Sequence, residues 1–137
     1  MDKRTADGVL SGRIERKVDS LGRFRVPAKW FRIVGQDRFV VIMADPEEMC
    51  LRMIPSRVIE AKLEKLRERT KTDPETIQAL MTIASASEHL KVDDEGCIEV
   101  SRKLLDFAGI KRRLVVVGGG KYTQLWSPKE LRRRGRK

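Results

Sequence analysis

Residues 18–26 run Val18-Asp19-Ser20-Leu21-Gly22-Arg23-Phe24-Arg25-Val26, and residues 92–100 run Val92-Asp93-Asp94-Glu95-Gly96-Cys97-Ile98-Glu99-Val100. The two stretches align without a gap, Val18 over Val92 through Val26 over Val100, so the chain reads as two copies of one unit. Each carries D-x-x-G between segments of alternating polarity: the Asp can accept backbone hydrogen bonds and the Gly can take a positive φ. Each copy therefore reads as strand, turn, strand. Working outward in the same register, Pro27 meets Ser101, Trp30-Phe31 meets Leu104-Leu105, Gly35 meets Gly109, and Val40-Val41-Ile42 meets Leu114-Val115-Val116. With a small loop adjustment, Met53-Ile54-Pro55 also meets Leu125-Trp126-Ser127.

Pro27 and Ser101 suit the first positions of a short helix, where a missing N–H or a capping hydroxyl is favourable, and Gly35 and Gly109 suit its end. Phe39 to Ile42 and Leu114 to Val117 read as buried strands, each followed by a turn and a fourth strand ending at Ile54 or Trp126. Between the copies, Ile59, Leu63 and Leu66 fall at i, i+4, i+7 and predict an amphipathic helix over 56–69. A second helix is predicted from Asp73-Pro74, with Ile77, Leu80, Met81 and Ala84 on one face. Residues 45–90 hold seven basic and nine acidic side chains, which assigns this region to packing or subunit contact rather than to a polyanion.

The chain has 137 residues, enough for one domain or two small repeats sharing a core. Its 30 Lys+Arg against 20 Asp+Glu give a net charge of +10. That balance makes a polyanionic partner the first hypothesis. Half of the excess sits in residues 129–137, KELRRRGRK, with six basic groups and one acidic. Such a tail is commonly disordered and binds phosphate without reading sequence. The longest apolar run, Phe39 to Ala44, is far short of a bilayer span, and Val9-Leu10 is too little for a secretory signal. A cytoplasmic location is expected, with Cys50 and Cys97 as unpaired thiols.

The D-x-x-G-R-x-x-V-P string from Asp19 to Pro27, the helical pair, the second D-x-x-G unit and the closing Leu125-Trp126-Ser127 resemble the MraZ family, tandem-repeat members of the AbrB-like (SpoVT-AbrB) superfamily. The resemblance covers roughly Gly12 to Leu131. It implies an α+β, mainly β fold: two tandem AbrB-like swapped-hairpin repeats forming a pseudo-symmetric β-barrel, with a helical pair between them. The expected division is repeat 1 over 12–55, linking helices over 56–86, repeat 2 over 87–128 and a basic tail over 129–137. The implied function is a nucleoid-associated, sequence-specific transcriptional regulator. As a ring-shaped homo-oligomer it would bind double-stranded DNA at short G-containing repeats upstream of the division and cell-wall gene cluster, and repress it. The family's DNA-contacting arginine falls on Arg23. The second copy departs from the pattern, with Gly96-Cys97 for Gly-Arg and Ser101 for the second proline.

Charge separates the copies without reference to the family. Residues 13–32 carry seven basic and two acidic groups, whereas residues 87–106 carry three and six. Only the first copy is expected to face DNA, with Asp94, Glu95 and Glu99 turned away from phosphate or docked on a neighbouring subunit. Arg23 is assigned to bases, with Arg25 on the same strand face, because an arginine fork can pair bidentately with guanine O6 and N7. Arg13, Arg16, Lys17, Lys29 and Arg32 are assigned mainly to phosphates. Asp19 is read as a turn-stabilising acceptor. Phe24, Trp30, Phe31 and Trp126 are read as core rather than as stacking platforms.

No enzyme is expected. Lys121 after Gly118-Gly119-Gly120 lacks the spacing of a phosphate loop and reads as a hairpin turn. His89, the only histidine, has no recognisable triad or ligand cluster around it, so neither catalytic residues, a metal, a cofactor nor a small-molecule substrate is assigned. The rival readings are an AbrB-like antitoxin or protein-interaction module, and a nonspecific nucleic-acid binder driven by the tail.

Overall fold

The computed structural model describes residues 12–30, 38–69, 74–75, 78, 85–118 and 123–135. Among them the chain is mainly β. The elements are β1 (Arg13–Lys17), β2 (Arg23–Arg25), β3 (Phe39–Asp45), β4 (Cys50–Pro55), α1 (Ser56–Arg69), β5 (Ser87–Lys91), β6 (Cys97–Glu99), α2 (Arg102–Phe107), β7 (Arg113–Gly118), β8 (Thr123–Trp126) and α3 (Pro128–Gly135). In the register that sets Val18 over Val92, the bounds of β1 and β2 coincide with those of β5 and β6, and β3 and β7 start at matching positions.

Six strands form one sheet in the order β1-β7-β8-β4-β3-β5, and β2 with β6 forms a separate ribbon. The strands flanking each D-x-x-G turn do not pair with one another. Instead β1 lies antiparallel to β7, β5 to β3, and β2 to β6. Alternating polarity fixes which face a strand buries and leaves its partner open, so this exchange is settled by tertiary packing.

Strands as short as β2 and β6 cannot hold a two-stranded ribbon in water by themselves. Phe24 and Ile98, directly opposite each other, supply what is missing: both are 2% exposed and join the common core. Burial of each contributes about 1.5–3 kcal/mol. The pairs Val18 and Val92, and Val26 and Val100, flank the two turns and lie in the same cluster. Trp30 and Trp126 are buried, as expected of core aromatics.

Helix α2 begins as the sequence predicts. Ser101 is extended (φ −62°, ψ 152°), and Gly109 (φ +71°) follows the helix end. The Ser101 hydroxyl accepts from the Leu104 N–H at 3.3 Å. The matching segment after Pro27 is described only to Trp30; Phe31, Arg32 and Gly35 lie outside the described residues. In α1, Ile59 and Leu63 are half-buried. The Leu66 side chain, together with Asp73, Ile77, Leu80, Met81 and Ala84 of the second linking helix, also lies outside them. So do Gly119, Gly120 and Lys121, although β7 and β8 on either side are antiparallel partners.

The basic C-terminal segment corrects an expectation. Far from being disordered, residues 128–135 form α3, opened by Ser127, whose hydroxyl accepts from the Glu130 N–H at 3.0 Å. Arg134 ion-pairs with Glu48 and lies 6.0 Å from the Trp126 ring, tying the helix to the body. Among the described residues, no helix is long and apolar enough to cross a membrane.

Candidate nucleic-acid interface

The Asp19 turn is built by its own side chain. Asp19 Oδ1 accepts from the N–H groups of Leu21 and Arg23, both at 2.9 Å, and the Asp19 N–H donates to the Arg23 carbonyl at 3.0 Å. Asp93 repeats this geometry: its Oδ1 accepts from the Glu95 and Cys97 N–H groups, both at 2.9 Å. Gly22 and Gly96 both sit at φ +86°. The turns also lock together, since the Gly96 carbonyl accepts from the Val26 N–H at 2.8 Å and the Gly22 carbonyl from the Val100 N–H at 3.0 Å. Asp19 is thus the acceptor that the sequence predicts, and it has a second role.

Arg23 Nε donates to Asp19 Oδ2 at 2.9 Å. The carboxylate thereby fixes the guanidinium through its inner nitrogen and leaves both Nη groups at the outer end of the fork. The two side chains remain 47% and 42% exposed, so the pair faces solvent. The Arg23 backbone N–H, then the Arg23 side chain and the Leu21 N–H, hold Asp19 below the usual carboxylate range; the hydrogen bond to Asp19 and its charge raise Arg23. Asp93 is also held low, by the Cys97 N–H first. There Cys97 stands where an arginine would close the second pair.

Across the ribbon, Arg23 faces Glu99 and Arg25 faces Cys97. Antiparallel pairing of β2 with β6 places Glu99 beside Arg23, and the opposite charges of the two copies meet within one chain. Phe24 and Ile98 point inward, so Arg23 and Arg25 share the outer face, as alternation predicts.

A concavity of about 410 Å³ unites Lys17, Arg23 and Arg25 with Asp19, Glu95 and Cys97. The other predicted cations are not part of it. Arg13 is at the opposite end of β1 from the turn, and Lys29 is exposed beyond the ribbon. Arg16 lies on the face of β1 opposite Lys17, and its Nε donates to the Arg25 carbonyl at 3.1 Å, tethering β1 to β2. Arg32 lies outside the described residues.

A second, larger cleft of about 650 Å³ shares Lys17, Val18 and Asp19 with the first and was not foreseen. Lys17, Asp19 and Ser20 meet Arg102, Lys111, Arg112 and Arg113 there. The sequence signal was the Lys111-Arg112-Arg113 run leading into β7, just beyond the net-negative 87–106 window. Leu21, 61% exposed at the tip of the turn, was also passed over.

The structure brings one serine to the histidine: Ser56 Oγ lies 2.6 Å from His89 Nε2. Among the described residues no carboxylate hydrogen-bonds to His89, and no group of three His, Cys, Asp or Glu side chains could hold a metal ion.

No protein-family model matches the chain. Over 133 residues it is 35% identical to the transcriptional regulator MraZ of Rhodospirillum rubrum, covering 92% of this chain and 84% of that protein. It is 30% identical over 122 residues to that of Nitrosomonas europaea, covering 86% and 80% of the two chains, and 26% identical over 115 residues to that of Corynebacterium jeikeium, covering 84% and 78%.

Proposed function

Because the chain belongs to the MraZ family, we propose that it is a sequence-specific DNA-binding transcriptional regulator that reads bases with Arg23. One observation carries this reading: an exposed arginine, buttressed through Nε by Asp19, at the end of a ribbon whose inner face is locked into the core. A guanidinium held in this way has lost much of its rotamer freedom before binding, and its two Nη groups suit guanine O6 and N7 in the major groove. Arg25 and Lys17 flank it and supply positive charge toward the same duplex. Leu21 offers an apolar contact, such as a thymine methyl group.

In this reading, the strand exchange belongs to two interlocked AbrB-like repeats, over 12–55 and 87–128, joined by linking helices over 56–86 and followed by the basic segment 129–137. The operator comprises short G-containing repeats upstream of the division and cell-wall gene cluster, and occupancy represses it. Each bidentate contact discriminates by about 1–3 kcal/mol, which is too little for one chain to find a genomic site. A ring of subunits in the nucleoid, engaging several boxes at once, supplies the remainder through effective concentration.

Fluorescence anisotropy on DNA from upstream of the protein's own gene, against a shuffled duplex, tests the reading. Wild type is expected to prefer the upstream duplex, Arg23→Ala to lose that preference, and a chain ending at Pro128 to keep it. Equal binding to both duplexes by wild type, with all affinity lost on removing the C-terminal helix, would favour a nonspecific nucleic-acid binder instead.

A further inference from the structure

We propose that the cleft between the β1 end and the Lys111–Arg113 segment seats the phosphodiester backbone of the bound duplex, next to the bases that Arg23 reads. This site rests on the DNA-binding reading above and adds residues from the far half of the chain. The cleft draws Lys17, Arg102, Lys111, Arg112 and Arg113 together around Asp19 and Ser20. Its one carboxylate is already committed to Arg23.

The cleft is held by backbone rather than by side chains alone. The Val18 N–H donates to the Arg112 carbonyl at 2.8 Å, and Lys17 faces Arg113 directly across the β1–β7 ladder. Like charges directly opposite in antiparallel strands destabilise the pair. Glu15 offsets part of that cost by meeting Arg113 at 3.3 Å, and Arg102 meets Asp106 at 3.8 Å. Among the described residues, Lys17, Lys111 and Arg112 form no salt bridge. The fold thus gathers cationic charge that the described residues neutralise only in part, in a cleft sharing Lys17 and Asp19 with the Arg23 concavity.

The matching spot in the other copy gives the contrast. There the Val92 N–H donates to the Arg38 carbonyl at 2.7 Å and Phe39 faces Lys91, so the same backbone frame is kept. However, Asp37, Arg38 and Phe39 replace Lys111, Arg112 and Arg113, and Ala28 replaces Arg102. The frame serves strand exchange in both copies. The accumulated cations belong to one, and they adjoin the copy that carries Arg23.

Phosphate contacts set the slope of log affinity against log salt at about −0.9 per phosphate for duplex DNA. The exposed double variant Lys111→Gln/Arg112→Gln is therefore expected to make the slope shallower by about 1.8. Over a fourfold rise in salt it then loses about twelvefold less affinity than wild type. Preference for the upstream over the shuffled duplex should stay at the wild-type ratio. The matched control is Lys62→Gln/Lys65→Gln on exposed α1 positions, which removes the same charge elsewhere and should leave the slope unchanged. An unchanged slope for the cleft variant, or an equal change in both doubles, overturns the site. Failure of the base-reading role shows separately, as loss of duplex preference in wild type. Circular dichroism melting of each variant verifies that the compared chains are folded.

Discussion

Replacing Gly22 by alanine probes the point where the two turns lock. At φ +86° an added Cβ costs about 1–2 kcal/mol by itself. It would also stand 2.3 Å from the Val100 carbonyl oxygen and 3.3 Å from Leu105 Cδ1, so backbone has to retreat. Overpacking of this kind costs about 1–3 kcal/mol, and the retreat strains the 3.0 Å bond from the Val100 N–H to the Gly22 carbonyl, worth about 1 kcal/mol. The expected destabilisation is about 3–5 kcal/mol, or roughly 10–20 °C in Tm for a chain of this size. Gly109→Ala isolates the conformational part, because Gly109 has φ +71° and no atom within 4 Å of the added Cβ. It should lose only about 1–2 kcal/mol. Urea unfolding of both variants at one protein concentration, followed by tryptophan fluorescence, gives the difference directly. Equal losses, within the usual scatter of about 0.5 kcal/mol, would refute the close approach of Gly22 to Val100, and with it the account of how Arg23 is positioned.

Asp19 and Asp93 are held low in the folded state, chiefly by the N–H groups of Arg23 and Cys97, so both stabilise the fold above the ordinary Asp value of about 3.9. That stabilisation is lost as pH falls below it through the folded values. Urea midpoints should therefore drop more steeply below pH 4 for wild type than for Asp19→Asn/Asp93→Asn. Burial pushes the Cys50 thiol up to about 12, whereas Cys97 is half-buried on the ribbon. A thiol reagent at pH 8 should modify one cysteine per native chain and both in denaturant, and Cys97→Ser should abolish the fast phase. A chain ending at Pro128 loses the Arg134 contact with Glu48 and uncovers Trp126. Its fluorescence maximum should move to the red without loss of cooperative unfolding; an unmoved maximum would argue against docking of α3.

What the sequence revealed was local. Asp19 and Asp93 bond to N–H groups at i+2 and i+4, so their turns are written in a few consecutive positions, as are Ser101 and Gly109 around α2. Pairing partners are not local: the same alternation in β1 serves a partner at β2 or at β7. The placement of Glu99 beside Arg23 was out of reach for the same reason, because charge arithmetic on separate windows carries no information on which windows adjoin. Arg16 and Lys17 illustrate a finer limit, with adjacent cations on opposite faces and only Lys17 reaching the concavity. The Asp19–Arg23 pair was within reach, at an i, i+4 spacing, but Asp19 was read only as a backbone acceptor. For α3, Ser127-Pro128 already spelled a helix start, and the charge run after it masked the signal.

Strand exchange also has consequences for how the protein comes into being. During synthesis β1 and β2 leave the ribosome early, yet their partners β7 and β6 lie in the last third of the chain. Pairings this distant slow folding, since chain entropy is spent before any contact repays it. The early half must therefore wait, with the edges of β1 and the apolar side of Phe24 unsatisfied, until nearly the whole chain has emerged. A polypeptide cut within α1 should leave two halves that are each unable to fold, yet that reassemble when mixed, because each carries the strands the other lacks.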